Sequence, residues 1–543
     1  LPLLPLGVLW LLGLLSLHFW RAGNHVKLQQ LRLRMVPALL VVLGALLVVL
    51  PWTARNYATY GALIIIDTTG AENLWLDNNP HPGGWEGGRE EVKAQLYALG
   101  NDMAARQRLA SQQGLANITG NPQWFANKAW GELLQFFALE HADDMRDRPA
   151  IWLPPAQVWT RLILGDGLWL LLLLAGTYGL VRVTSYELRV TSEQTPFIAH
   201  RSSFIVSVGL LFGLWAAYTL LTTLIFHVEL RYRLPLYPVL LPFAALALVG
   251  QSPQAAAGPA EARRWPKVLA LLLPAACLLL TLLHRPYPLL AWQLGWKHWH
   301  LAQAEGAAAR GDAAATREAA RAALANDERS VLARVALARA DLLVGNESAA
   351  ETTLREAIGV LRAHPHPHLL LGDMLRQRGD AENARSELAY ERNSLEDMQT
   401  WSWNRFRTPP PPALTLGNGL DLGFIQGFHL VQEGEQGRWT TDSARVRLSL
   451  PPGATSLALR LASGRPAGAT PVPLAVLVNG QPVGNLQVTP KWADYRLPLP
   501  DGLTGDVIAI ELRSPTFRPR DLNRASPDSR QLGMQVEQIS LQP

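Results

Sequence analysis

Apolar and polar positions change their pattern twice along this chain. Up to about residue 285, long apolar runs alternate with short polar connections. From 297 to 400, apolar positions recur at helical spacing in an Ala-rich, charged background. Beyond the prolines Pro409 to Pro412 the period drops to two. Membrane helices, a helical array and a β-domain are the expected elements.

Six runs in the first region approach the ~20 residues that cross a bilayer. They lie at roughly 2–20, 35–51, 162–181, 204–226, 235–250 and 267–284. The fifth is short and proline-bounded, and the third carries Asp166 near its start. Alternate connections are basic: Arg21, Lys27, Arg32 and Arg34; then Arg182, Arg189 and Arg201; then Arg263, Arg264 and Lys267. The positive-inside rule puts all three in the cytoplasm. The stretch 52–161, the turn near 227–234 and everything after about 285 then lie outside. Residues 52–161 carry Trp75, Trp85, Trp124, Trp130, Trp152 and Trp159, too many aromatics for a passive connector. The run Leu63–Ile66 reads as a short strand, the Gly, Asn and Pro after it as tight turns, and 89–115 and 121–140 as helices. A folded cap on the membrane surface is expected there.

Composition sharpens this picture. Charged residues are 17% of the 543, against roughly 25% in soluble domains. Apolar residues are 49%. The balance of 49 basic and 44 acidic residues is only mildly positive, and 19 Trp suit a protein with two water–lipid boundaries to anchor. The single cysteine, Cys277, excludes a disulfide framework and any Cys-based zinc site. A small secreted module, a disordered tail and a nucleic-acid binder are thereby poor readings. The chain opens on Leu1, straight into an apolar run without the basic stretch and cleavage site of a secretory signal. The expectation is the C-terminal part of a longer protein.

Two motifs on the outer side carry a family resemblance. The first runs from Pro51 through Arg55, Asn56 and Tyr57 to Asn73, Leu74, Trp75, Asn78, Asn79 and Pro80. The second is His227, Glu229 and the string Arg231-Tyr232-Arg233-Leu234-Pro235-Leu236-Tyr237-Pro238. Together they resemble bacterial polytopic glycosyltransferases of family 39, the protein mannosyltransferase and lipid A aminoarabinose transferase relatives with a GT-C fold. The resemblance covers about residues 1–285. It implies transfer of a sugar from a polyprenyl-phosphate donor to an envelope acceptor on the outer face of the cell membrane. Members of that family usually carry their catalytic carboxylate in the first outside loop. Here the first connection is basic and lacks Asp and Glu, so the base is expected upstream of Leu1 and this part alone is expected to be inactive.

Such chemistry needs cations for the leaving phosphate, and the planar fork of arginine suits it. Arg231, Arg233 and Arg55, with Tyr232, are candidates for the lipid phosphate or donor. The competing reading makes the arginines interfacial anchors, with Glu229 as a partner. Asn73, Asn78 and Asn79 in the cap loop are either turn-formers or sugar ligands. Asp166 is either a helix cap or a carboxylate with a catalytic role. The lipid-linked sugar is the expected donor substrate, and a divalent metal is left open.

The helical array has punctuation at Gly311-Asp312, Gly345-Asn346 and Gly379-Asp380, both intervals being 34 residues. That is the tetratricopeptide period. Small residues recur at Ala304, Ala338 and Gly372, larger ones at Leu354 and Leu388. Such arrays bind a peptide or protein partner, or serve as spacers. His364-Pro365-His366-Pro367-His368 is read as an extended turn between repeats that splays its imidazoles, against metal binding. After a proline linker at 401–413, about seven strands with a hairpin at Asn479-Gly480 argue a β-sandwich, similar to galactose-binding-like jelly rolls. Trp439, Trp492 and Tyr495 either contact carbohydrate or belong to its core. Arg438, Asp528 and Arg530 either pair internally or rim a site.

The expected architecture is therefore multidomain: an N-terminally truncated, GT-C-like transmembrane bundle over 1–285, a tetratricopeptide-like array over 290–400, and a jelly-roll-like β-sandwich over 414–543. The repeats and sandwich would be extracytoplasmic, with a protein or glycan acceptor as partner. Two alternatives remain: a non-catalytic membrane scaffold that assembles envelope machinery, and an O-antigen ligase or polymerase.

Overall fold

The computed structural model describes residues 28–65, 69–193, 213–249, 264–466, 468–523 and 526–543. The expected span 2–20, the start of the span 204–226, and the loop residues Arg21, Lys27, Arg201 and Arg263 lie outside them. The chain forms two compact units. One comprises Leu1–Asp147 and Ala156–Trp292, the other Arg148–Pro155 and Gln293–Pro543.

The first unit is helical. Helix Leu28–Tyr60 runs unbroken through Pro51, past the expected end of its span. Gly61 ends it in the left-handed region, at φ 64°. No strand follows at 63–65. Asn56 Nδ2 donates to the Ile64 carbonyl at 3.0 Å and Thr53 Oγ1 to the Ile65 carbonyl at 2.9 Å, so helix side chains take the backbone groups that a strand would pair. The cap beyond it is built of helices Thr69–Leu76, Gly84–Ala98, Met103–Gly120, Pro122–Phe136 and Glu140–Asp147. Asn73 is therefore helical rather than part of a turn.

Among the described residues, two helical stretches, Pro155–Arg182 and Arg231–Val249, are long and apolar enough to cross a membrane. A third qualifies if Ala270–His284 and Tyr287–Ala309, bent by 51°, count as one, and Gly213–Ile225 is a shorter apolar helix. Of the six runs in the sequence, the first and the start of the fourth lie outside the described residues. Helices Gly167–Glu193 and Tyr237–Val249 approach closely because glycine lines their contact. A Cβ on Gly179 would lie 2.1 Å from the Phe243 carbonyl oxygen, and one on Gly176 2.8 Å from Leu240 Cβ.

In the second unit, helices Ala313–Asn326, Val331–Leu343, Glu347–Val360, Pro365–Gln377 and Ala381–Leu388 follow the end of Tyr287–Ala309. Gly311, Gly345 and Gly379 turn the chain at φ 75°, 78° and 81°, values that favour glycine. The residue after each glycine caps the next helix: Asp312 accepts from Ala315 N at 2.9 Å, Asn346 from Ala349 N at 3.3 Å and Asp380 from Asn383 N at 3.3 Å. Gly372 is small because Leu388 passes over it; a Cβ there would lie 2.8 Å from Leu388 Cγ.

The C-terminal part is an antiparallel sheet of nine strands, curled nearly into a barrel. The strands are β1 Ala413–Thr415, β2 Ile425–Phe428, β3 Arg438–Ser449, β4 Ser456–Ala462, β5 Val472–Val478, β6 Gln481–Val488, β7 Ala493–Pro498, β8 Val507–Arg513 and β9 Gln535–Gln542. The path β6-β5-β8-β3-β9-β4-β7 is continuous, with β1 on β9 and β2 on β3. It does not divide into two separate sheets because β3 serves both halves: Arg438 and Trp439 pair with β9, and 443–449 with β8. Asn479 and Gly480, at φ 49° and 83°, make the β5–β6 hairpin turn.

The stretch 401–413 is not a free linker. It begins in helix Met398–Trp403, and the Pro411 and Pro412 carbonyls accept from Ser449 N at 3.2 Å and Leu541 N at 3.0 Å. Helices and sheet share an interior here. Buried Arg376 donates to the Leu420 and Leu422 carbonyls and lies 4.3 Å from the Phe424 ring centroid. Arg438 grips Asp421 through Nε at 2.6 Å and Nη2 at 2.9 Å, and reaches Glu391 at 2.7 Å.

Candidate functional site

The two motifs that carry the family resemblance converge in the first unit. Helix Thr69–Leu76 ends in Asp77 and Asn78, both buried, and these meet the segment that follows helix Gly213–Ile225. Asn78 Nδ2 donates to the Ile225 carbonyl at 2.9 Å. Lys128, from helix Pro122–Phe136, directs its ammonium at the Leu224, Ile225 and Phe226 carbonyls. A cation on the last carbonyls of a helix is favoured by the dipole and satisfies acceptors left without intrahelical partners. Burial lowers the Lys128 pKa against the attraction of Glu132, and raises that of Glu132. Glu132 Oε2 accepts from Val228 N at 2.7 Å.

His227 is the centre of this junction. Its Nδ1 lies 2.9 Å from Asp77 Oδ2 and its Nε2 3.2 Å from Glu229 Oε1. The hydrogen bond to Asp77 outweighs burial and pushes the imidazole pKa up to about 9. At neutral pH it is an imidazolium donating at both ends, with no lone pair for a base. It serves as a charged latch between the cap and the 227–236 segment. Lys128 and Glu132 lie in neither motif, while Asp77 stands inside the first and His227 inside the second without a role assigned to either.

The two arginines of that motif part company. Arg231 is exposed, with Nε 2.6 Å from Glu229 and its guanidinium 5.7 Å from the Tyr232 ring centroid. Arg233 is only 4% exposed. Its Nη1 donates to the Ala138 carbonyl at 2.6 Å and its guanidinium lies over Trp169 at 5.0 Å, while Nε and Nη2 have no hydrogen-bond partner among the described residues. Arg55 is exposed on its helix, 4.9 Å from the Trp52 ring centroid and 3.3 Å from Asn56 Oδ1, where it supports the helix end. Asn79 donates to Glu91 at 3.0 Å within the cap. Asp166, at the end of the π-helical turn Arg161–Asp166, accepts from His141 N at 3.0 Å and Ala142 N at 2.9 Å. It caps helix Glu140–Asp147, not its own helix.

In the second unit, the HPHPH run is not an extended turn. Pro365 opens helix Pro365–Gln377, where a missing N–H costs nothing. His366 stacks on Trp401 at 4.3 Å, and His368 stacks on Tyr390 and bonds Glu387. Among the described residues, no three His, Cys, Asp or Glu side chains are grouped to hold a metal ion. Trp439 is buried edge-on against Phe517, at 5.9 Å between centroids. The Tyr495 hydroxyl accepts from Thr489 N at 2.9 Å, and Trp492 is half-buried nearby in sequence. Arg438 pairs internally, and Arg530 is held by Asp528 at 2.8 Å and Glu435 at 2.5 Å.

No protein-family model matches the chain, and neither a curated protein nor a solved structure matches it.

Proposed function

We propose that this chain belongs to an integral membrane glycosyltransferase of the GT-C type. It moves a sugar from a polyprenyl-phosphate donor to an envelope acceptor on the extracytoplasmic face, where the helical array and the sheet also lie. Arg233 holds the lipid phosphate in this reading. One observation carries it: a buried guanidinium in the RYRLP string, in an apolar stretch, with two nitrogens lacking hydrogen-bond partners among the described residues. Burying a guanidinium with two of its hydrogen bonds unmade costs on the order of a few kcal/mol. A phosphate placed across Nε and Nη2 offsets that cost through two parallel charge-assisted hydrogen bonds. The His227 latch supports the arrangement by fixing the segment that carries Arg233.

The test uses the natural full-length protein in membrane vesicles with a radiolabelled polyprenyl-phosphate sugar. Arg233→Ala is expected to lower transfer by on the order of 100-fold, and Arg231→Ala to stay within about threefold of wild type. Equal transfer by both variants and wild type keeps a transferase but removes the phosphate from Arg233. Absence of transfer from a panel of donors turns the assignment to the membrane scaffold. One observation favours that second reading: Asp77, Glu132 and Glu229, the carboxylates at the junction, are all engaged in holding it together.

A further inference from the structure

In the second unit, helices Glu347–Val360 and Ala381–Leu388 both pack on helix Pro365–Gln377. All three line an open cleft of about 390 Å³, within the size range of small-molecule pockets. Arg355 from the first helix and Arg362 just past its end supply two guanidinium groups. Ser386 and Tyr390, from the last helix and the 3₁₀ turn after it, supply two hydroxyls. The charge of this lining can be worked out from its hydrogen bonds.

Glu387 also lines the cleft, but it carries no net repulsion. His368 Nε2 lies 2.8 Å from the Arg362 carbonyl oxygen, which only accepts, so Nε2 holds a proton. Nδ1 faces the Glu387 carboxylate, and a second proton has to lie between those two acceptors. Whichever atom holds it, the His368–Glu387 pair is neutral as a unit. Tyr390 lies flat on that imidazole, with ring centroids 3.5 Å apart, which fixes the ring.

The arginines are balanced unequally. Glu347 and Glu351 are matched by Arg378 and Arg355 in one chain of ion pairs. Arg355 spends Nη2 on Glu351 at 2.7 Å and keeps donors to spare. Arg362 is exposed, and among the described residues no carboxylate or carbonyl engages its guanidinium. It is the positive charge left over. The donors come from separate helices, so they do not share a plane. A planar carboxylate is satisfied by one coplanar arginine fork, whereas a tetrahedral phosphate presents oxygens in several directions.

We propose that this cleft binds a phosphate group esterified to a small molecule, with Arg362 supplying the charge and Arg355, Ser386 and Tyr390 further donors. The volume exceeds what a phosphate alone fills, and the side chain of Ile358 gives the esterified group an apolar wall. The site rests on no part of the transferase reading.

The experiment is calorimetric titration of the natural full-length protein in detergent, at fixed ionic strength, with glucose 1-phosphate, inorganic phosphate and acetate as probes. Glucose 1-phosphate is expected to bind about tenfold more tightly than inorganic phosphate, and acetate to give no measurable binding. Arg362→Gln should weaken glucose 1-phosphate by on the order of 10–100-fold and Ser386→Ala by about 3–10-fold. Arg310→Gln, at an exposed arginine elsewhere in the array, should stay within about twofold. Hydrogen exchange in the wild type should slow at 355–362 and 386–390 when glucose 1-phosphate is added. Wild-type affinity retained in Arg362→Gln overturns the proposal, as does an equal loss in Arg310→Gln, which would reduce the effect to net charge. Acetate binding as tightly as glucose 1-phosphate overturns the phosphate, and inorganic phosphate doing so overturns the ester. Unchanged exchange at both segments overturns the site even if Arg362→Gln fails to fold.

Discussion

The His227 latch should open with alkali. Its pKa is raised from 6.5 to about 9, so the stabilisation is complete below pH 6.5 and lost as the pH rises through about 9. At about 1.4 kcal/mol per tenfold change in proton affinity, that rise is worth roughly 3 kcal/mol before screening. The side chain is 32% exposed, and solvent reduces the value to roughly 1–2 kcal/mol. Hydrogen exchange followed by mass spectrometry, on the full-length protein in vesicles, reads this directly. After correction for intrinsic exchange, protection of amides near 74–79 and 224–229 should fall about 5–30-fold between pH 6.5 and 9.5. His227→Gln, which cannot carry the charge, should show reduced protection at pH 6.5 and little further change. Protection in the wild type that stays constant across this range, or an equal fall in His227→Gln, would refute the argument.

Two other consequences concern packing. Gly179→Leu should force helices Gly167–Glu193 and Tyr237–Val249 apart, since even a Cβ would lie 2.1 Å from a carbonyl oxygen. A loss of about 1–3 kcal/mol or more is expected, read as a lower melting temperature in detergent. Arg438→Ala leaves Asp421 and Glu391 buried together and should cost about 3–5 kcal/mol in denaturant unfolding. Adding Asp421→Asn and Glu391→Gln should recover part of that loss; a triple variant no more stable than the single one would show that the charge is not its cause.

The features legible in the sequence are those with local causes. The three glycine turns of the helical array are readable because a positive φ admits little but glycine and the next residue must cap a helix. The hairpin at Asn479-Gly480 has the same local logic. Features that depend on distant partners were not legible. Asp77 and His227 are 150 positions apart, and no periodicity connects them. The strand expected at 63–66 does not form over its described residues 63–65 because Thr53 and Asn56 take its carbonyls, and the extended HPHPH turn failed because proline is also at home in the first turn of a helix. Arg231 and Arg233 look equivalent in the string, yet the 3₁₀ segment Leu230–Leu236 leaves one exposed and the other buried.

The shared interior around Arg376, Phe424 and Arg438 bears on how the second unit could be taken apart. A cut at the proline run would expose the Arg376 guanidinium and its Leu420 and Leu422 acceptors on opposite fragments, and would divide Arg438 from Glu391. Neither fragment would inherit a finished surface. Helical array and sheet are therefore expected to unfold as one cooperative unit, not as two cassettes that recombination could exchange independently.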